Sequence, residues 1–489
     1  MQGEPGPGDA DGAADGGDEG GTDRDDECGT DRDDEGGTDR DDDGGTDGTG
    51  DSATPVPGMT RRRVVGTLFL VVFLDLLGFG ILIPVIPLYA KFFGANEFVG
   101  SLLIATYSLF QFVGAPVLGR LSDERGRRPV LLLSLAGSVI AWTLFGLAGE
   151  LGPLLGATNG LVVLFVARAL AGAMGGNIAT ANAYMADVTP AEDRARGLGI
   201  LGAAFGLGFV FGPAIAGVVS SPPALALARS ALPAAVPVSE FTLPSFTAAA
   251  LSAANLALAA VVLPEPRRRA PSVAASGSRL RRLYEAVRSP DVGTLVLAFF
   301  VASFAFSAFE SQFIFLTSDR LGYGTAENAV LLTYVGVLIA VVQGGLVGPL
   351  TDRFGEYRLA LAGAAIQAAT LALVPFSLSW TFVPSLGPVE SGAVALALLS
   401  TPLAFGNALT NVSLNALVSL NADADEQGGA FGLTQSAGSL ARTVGPAVAG
   451  LLYVAVAYWF PFVVAGVLFV PVLAVLGLVA RERVDPAAG

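Results

Sequence analysis

From residue 64 onward, apolar runs of about 20 residues recur along the chain, each closed by a short polar or Gly/Pro-containing stretch. As a helix, a run of that length crosses the ~30 Å hydrocarbon core of a bilayer. The pattern predicts spans near 64–90, 98–118, 130–149, 160–184, 198–220, 242–263, 292–316, 328–349, 359–379, 391–417, 430–454 and 456–480. Spans nine and ten are separated loosely, by a Pro-containing linker at 380–390. The expected fold class is therefore an all-α integral membrane protein of twelve transmembrane helices.

The first 58 residues break the pattern completely. Residues 21–48 repeat an octapeptide, GTDRDDEC, GTDRDDEG, GTDRDDDG and then GTDG, with almost nothing apolar to bury, so 1–58 is expected to be a disordered acidic tail. Cys28 stands where the other repeats carry Gly, and so has no implied partner. Asp39-Arg40-Asp41-Asp42-Asp43-Gly44 matches the first half of a calcium loop, but Gly50 occupies the position that needs a bidentate acid. No metal site is expected.

Composition sharpens this division. The 489 residues are 52% hydrophobic and only 15% charged, against about a quarter charged in soluble domains. The net charge of −15 belongs to the tail: residues 1–58 hold 20 acids against three Arg, and the remainder holds 23 acids against 25 basic residues. A basic nucleic-acid-binding face is excluded. The chain has no His, one Cys and one Lys (Lys91), which excludes Ser-His-Asp and Cys-His catalysis, His-containing zinc sites, disulfides within the chain and a P-loop. Neither an enzyme nor a cofactor is indicated.

The connecting segments carry their own charge signal. With the amino terminus inside, 20 of the arginines after residue 58 fall on the cytoplasmic side and three cations (Lys91, Arg229, Arg320) on the other. That asymmetry places both termini in the cytoplasm of a multi-pass protein of the plasma membrane. Seven arginines lie in the longest cytoplasmic segment, 264–291, which reads as a linker between six-helix halves at 59–263 and 292–489. An internal duplication agrees. Gly119, Leu121, Asp123 and Gly126 recur as Gly348, Leu350, Asp352 and Gly355, and Gly212-Pro213 recurs as Gly445-Pro446. Paired repeats of this kind build many secondary transporters, with the site at their interface.

These motifs give the chain a resemblance. GRLSDERGRRP (119–129) is similar to the signature loop of the major facilitator superfamily, with Gly119, Asp123, Gly126, Arg127 and Arg128 in register. Arg168 with Gly172 and Gly176 resembles that family's second motif, and Gly199, Gly208, Gly212, Pro213 and Gly217 resemble its antiporter motif, with Ala216 in place of one Gly. The span-one segment Asp75-Leu-Leu-Gly78-Phe-Gly80-Ile-Leu-Ile-Pro84 resembles twelve-helix drug:proton antiporters, tetracycline exporters included. The resemblance implies the major facilitator fold, alternating access, and a latch between the halves made by Asp123 with Arg127 and Arg128 and by the copy at Asp352. Asp123 is expected to cap the start of span eleven, at a positive helix end. Proton-coupled export of small amphipathic compounds is implied first, and a sugar or organic-acid porter is the alternative. A non-transporting membrane sensor or scaffold is the reading from a different class.

Four charges lie well inside the spans: Asp75, Arg168, Glu310 and Arg442. Each costs about 2.5–3.5 kcal/mol at bilayer depth, so each needs a partner or a wet cavity. Counting along the predicted helices puts Asp75 about 16 Å from the inner end of span one and Arg168 about 12 Å from the outer end of span four. Those compatible depths predict an Asp75–Arg168 pair, which is either the proton-coupling site or a permanent structural ion pair. Glu310 among phenylalanines, Arg442, Asn177 and Gln343 are the expected substrate-binding residues. The implied partners are a small-molecule substrate, protons or Na⁺, and the lipid bilayer, with the chain acting as a monomer. Two motifs carry nothing: the GxGxxG at 197–202 opens a membrane span, and the sequon Asn411-Val412-Ser413 lies within one.

Overall fold

The computed structural model describes residues 60–155, 157–190, 193–266, 290–387, 389–421 and 427–484. The tail at 1–58 with Cys28 and the half calcium loop, and nearly all of the linker at 264–291, lie outside the described residues. Within them the chain is helical, and its only β feature is an isolated bridge between Leu386 and Val389. Eleven helices among the described residues are long and apolar enough to cross a membrane. The span predicted at 430–454 is present as the 29-residue helix Gln427–Ala455, whose apolar content is diluted by Gln435, Ser436, Ser439 and Arg442.

Several helix boundaries have local causes. Span one is two helices, Arg61–Leu82 and Val85–Phe92, interrupted just before Pro84, which has no N–H to continue the ladder. Span two, Glu97–Arg125, is capped by Asn96, whose side chain accepts from the Val99 N–H at 3.0 Å. It runs past its predicted end, so Asp123 and Arg125 lie in its last turn rather than in a loop. The turn into span three, Arg127–Gly146, is a single residue, Gly126, at φ +106°. Gly355 at φ +77° makes the corresponding turn between Val347–Phe354 and span nine, Glu356–Ser377. The two turns are one repeated device, since only Gly adopts such φ without strain. Span four is also divided, into Ala157–Met174 and Asn177–Val188 at Gly175-Gly176. Span eight runs from Thr325–Val341 through a π-helical turn, Val342–Leu346, into Val347–Phe354. Gly344 and Gly345, poor helix formers, sit in that turn. Spans five, Arg194–Val219, six, Thr242–Val262, seven, Pro290–Leu321, ten, Ser391–Leu420, and twelve, Phe460–Val467 with Phe469–Val484, complete the set.

Buried apolar side chains segregate by half. Two large clusters draw almost wholly on residues 64–263, with Ala329 the one outsider, and the others draw on 292–476. Each half is thus a packed body, and what joins them is concentrated at one end. We call the end bearing Arg61, Gly126 and Gly355 the tail end, and the end bearing Lys91 and Asp319 the far end.

Glycine clearances show how the halves meet. Toward the far end, a Cβ added at Gly100 would lie 2.5 Å from Phe315, at Gly450 2.5 Å from Ser101, and at Gly217 3.3 Å from Ala329. At the tail end, Gly119, Gly199, Gly202, Gly344, Gly345, Gly348 and Gly432 have nothing within 4 Å. The described contacts between the halves gather toward the far end, and none of these tail-end glycines meets the opposite half.

Candidate functional site

Between the halves lies a cavity of about 400 Å³. One wall is aromatic, with Phe205 and Phe209 from span five facing Phe299, Phe306, Phe309 and Phe313 from span seven. Glu310 and Arg442 are the charged residues of its lining, close enough to interact electrostatically without a direct ion pair. Gln343 reaches the lining from the π-helical turn of span eight, a feature often found at functional sites. Pro213 of the antiporter-type motif borders it as well. A cavity with an aromatic wall and one charge of each sign can hold an amphipathic molecule and orient it by its ionic group.

The expected Asp75–Arg168 pair is not made. Asp75 accepts from the Asn177 side-chain amide at 3.0 Å and has the Ser138 hydroxyl alongside, all within the first half. Arg168 lies nine residues before Asn177, about 13 Å along a helix. Arg168 as a whole is 1% exposed, and its guanidinium sits over the rings of Tyr107, at 4.6 Å, and Phe79, at 5.8 Å. It donates to the Leu103 carbonyl at 3.4 Å, and its Nη1 has no partner. Cation–π contact with two rings replaces the missing carboxylate. Asn177 is corrected too. It is buried against Asp75 rather than on the cavity wall.

The latch residues are wired differently from expectation. Arg127 bonds Asp123 across the Gly126 turn, and donates from Nε to Asp187 at 2.9 Å and from Nη1 to the Ser122 hydroxyl at 2.7 Å. Glu265, which sequence reasoning missed, accepts from the backbone N–H groups of Arg127 at 2.7 Å and Arg128 at 2.9 Å, capping span three from the start of the linker. Every described partner of Asp123, Arg127 and Arg128 lies in the first half or, for Glu265, at the start of the linker that follows it, so the predicted cap on span eleven is not made in this arrangement. Asp352 in the second copy is exposed and has no ion pair among the described residues. Glu265 is 138 residues from Arg127 along the chain, so its place against the free N–H groups at the start of span three is visible only in the fold.

The antiporter-type glycines divide by depth. Gly208 and Gly212 pack against span one at Leu76 and Gly80, Gly217 faces Ala329 of span eight, and Gly199 faces open space.

At the far end the closure is polar as well as tight. Lys91 donates to Asp319, whose other oxygen accepts from the Tyr453 hydroxyl at 2.7 Å, and Glu97 lies 3.8 Å from Lys91. Gln312 donates to the Ser101 hydroxyl at 2.8 Å, and Glu240 accepts from the Thr325 N–H at 3.2 Å. Except for the Tyr453 and Glu97 contacts, each of these bonds crosses between the halves. Asp319→Asn should loosen the seal, raising the far-end-open population by about tenfold. Spin labels at the exposed Phe92 and Glu327, in a Cys28→Ser background, would report a longer distance component. An unchanged distance distribution would refute the seal.

The match to a family model is extensive. The Major Facilitator Superfamily model matches residues 68–443 and 346–488. The chain is 30% identical over 388 residues to the class C tetracycline resistance protein of Escherichia coli, covering 78% of this chain and 87% of that one. It is 28% identical over 450 residues to major facilitator superfamily domain-containing protein 10 of Bos taurus, covering 81% and 87%. Among solved structures, the human organic anion transporter MFSD10 (TETRAN) superposes with a TM-score of 0.58 at 24% identity, over 86% of this chain and 100% of that one. The nucleoside transporter NupG gives 0.63 at 12% identity, over 85% and 99%. At such identities these two structures speak to fold alone.

Proposed function

Since the chain belongs to the major facilitator superfamily of secondary transporters, we propose that it exports small amphipathic compounds in exchange for protons, by alternating access. The observation that carries this reading is the cavity itself, lined by Glu310, Arg442 and phenylalanines, with the described contacts between the halves gathered toward the far end. In this reading the tail end faces the cytoplasm, as the arginine excess of the connecting segments favours, and the cavity loads from that side. Residues 59–263 and 292–489 rock as two bodies about the cavity, joined by 264–291. The protein sits in the plasma membrane and works as a monomer.

The two carboxylates divide the work. Glu310 meets substrate in the cavity. Asp75 lies behind the wall, held by Asn177, and binds the proton that drives the cycle. Closing the tail end would bring Asp123, Asp352 and the tail-end glycines against the opposite half, completing the latch in the other state. The tetracycline resistance proteins among the relatives support the drug-export reading.

The guanidinium of Arg442 favours a second reading, an organic-anion porter. One experiment separates the two. Cells expressing the chain are loaded with ethidium or with a fluorescent carboxylate dye, and efflux is followed before and after a protonophore. Protonophore-sensitive ethidium efflux that falls about tenfold in Glu310→Gln supports cation export. Efflux of the carboxylate dye alone, lost in Arg442→Gln, supports the second reading. Retention of both dyes by wild type would remove both.

A further inference from the structure

The first half holds a polar seam that is distinct from the cavity. One face of span one carries Val71, Asp75 and Gly78, successive turns of the helix, and meets spans three, four and six. None of these residues, and none of the polar side chains that meet them, lines the cavity.

Gly78 shows the seam most clearly. Outside span one, the three atoms nearest to a Cβ placed there are all polar: the Ser252 hydroxyl at 3.4 Å, the Ala248 carbonyl oxygen at 3.7 Å and the Trp142 indole nitrogen at 3.8 Å. Ser252 and Trp142 are buried, and neither polar atom has a partner among the described residues. A helical serine often turns back onto the carbonyl four residues before it, as Ser245 does onto Phe241 at 2.7 Å. Ser252 makes no such bond to Ala248, and its hydroxyl stays beside Gly78.

The same incompleteness continues past Asp75. Asn177 gives its amide nitrogen to Asp75 at 3.0 Å, and its Oδ1 has no partner. Asn255 donates to the Val71 carbonyl at 2.8 Å, and its Oδ1 has none either. Val71 and Gly78 are about 10 Å apart along the helix. Orphaned polar atoms thus stand at all three levels of one helical face, on three neighbouring spans of the same half. A buried polar atom without a partner is costly, and an ordered water held by several such atoms is what normally completes them.

We propose that ordered waters, held at Gly78 by Ser252, Trp142 and the Ala248 carbonyl and continued by the free oxygens of Asn177 and Asn255, form a proton route within the first half that serves Asp75 apart from the substrate cavity. The inference rests on the export reading and deepens it. A proton arriving on the Gly78 water passes to a carboxylate oxygen of Asp75 and leaves neutral water behind. Release reverses the transfer. Substrate at Glu310 and the proton at Asp75 then travel by separate paths, and only the rocking of the halves couples them.

The clearance at Gly78 supplies the test. A Cβ there meets nothing closer than 3.4 Å, an ordinary contact, so Gly78→Ala fits without strain and takes the water's place. Gly66→Ala, exposed on the same helix with nothing within 4 Å, is the control for replacing a glycine. Two readouts are taken on the purified full chain. In the first, X-ray pulses make hydroxyl radicals from bound water. Mass spectrometry then compares oxidation of Trp142 with that of Phe145, which is buried on the same helix and has no polar side-chain atom. In the second, ethidium transport against its gradient, driven by a pH difference across proteoliposomes, is compared with ethidium exchange at equilibrium, which needs no proton transfer.

Wild type is expected to show oxidised Trp142 and unmodified Phe145. Gly78→Ala should protect Trp142 and slow uphill transport about tenfold, the worth of one good hydrogen bond in the path, with exchange unchanged. Gly66→Ala should match wild type in both readouts. An unlabelled Trp142 in wild type, or equal labelling in Gly78→Ala, overturns the waters. Uphill transport that survives the loss of label overturns the route. An equal fall in uphill transport and exchange also overturns it, because uniform loss reports damaged packing. If wild type moves no ethidium, the export reading fails and the route fails with it, whatever Trp142 shows. Should Gly78→Ala not reach the membrane, Ser252→Ala, which removes one holder of the water and leaves Trp142 in place, decides between the same outcomes.

Discussion

Asp75→Asn is expected to reduce uphill efflux to the level of protonophore-treated wild-type cells, while the protein inserts and folds normally. Asn keeps an oxygen for the Asn177 amide but cannot take up and release a proton, so the variant separates the hydrogen bond from the coupling. Removing a charge that costs about 2.5–3.5 kcal/mol at bilayer depth should also make the purified variant more resistant to heat. Loss of transport with gained stability is the signature of a carboxylate kept for its chemistry. A variant that still concentrates substrate against its gradient would dismiss Asp75 as the coupling site. A variant that loses both stability and transport would mark it as a structural group.

The second large effect concerns the contact between spans one and five. A Cβ at Gly212 would lie 2.5 Å from both Cα and the carbonyl carbon of Gly80, and one at Gly80 2.6 Å from the Gly208 oxygen. The obstructing atoms are backbone on both sides, so no rotamer change relieves them. Gly212→Val should therefore cost at least the upper part of the usual overpacking range of about 1–3 kcal/mol. It should yield little monodisperse protein in detergent. Gly199→Val is the control within the same motif, since nothing lies within 4 Å of that position. It should fold like wild type and yet transport poorly, because tail-end closure would press span five against its neighbours. Equal yields for the two variants would contradict this account of the motif.

Much of the architecture is legible in the sequence because membrane burial requires it. Long apolar runs and the repeated Gly-x-Leu-x-Asp-x-x-Gly turn leave marks that need no tertiary knowledge. The cavity is harder to see. Its spans are apolar around most of their circumference, so hydrophobic periodicity gives no face, and only charges and isolated amides stand out. Glu310, Arg442 and Gln343 are legible on that basis, whereas nothing in the sequence singles out Trp142 and Ser252 beside Gly78. The Asp75–Arg168 pairing fails for a geometric reason. Depth counted from the outer end of span four neglects that the span continues to Val188 and is interrupted at Gly175-Gly176, which sets Asn177, not Arg168, level with Asp75. Glu265 lies in a connecting segment whose arginines dominate its reading.

The chain's single lysine stands in the far-end seal, bonded to Asp319, with its side chain 29% exposed. Chemically, this makes Lys91 a reporter already installed. Apart from the terminal amine, an amine-acylating reagent that cannot cross the bilayer has one target, and it can reach that target only from the side the seal faces. While the seal holds, the bond to Asp319 shields the amine from the reagent. Acylation kinetics on the unmodified, cysteine-intact protein would therefore count openings of the far end directly, in whole cells and under each candidate substrate.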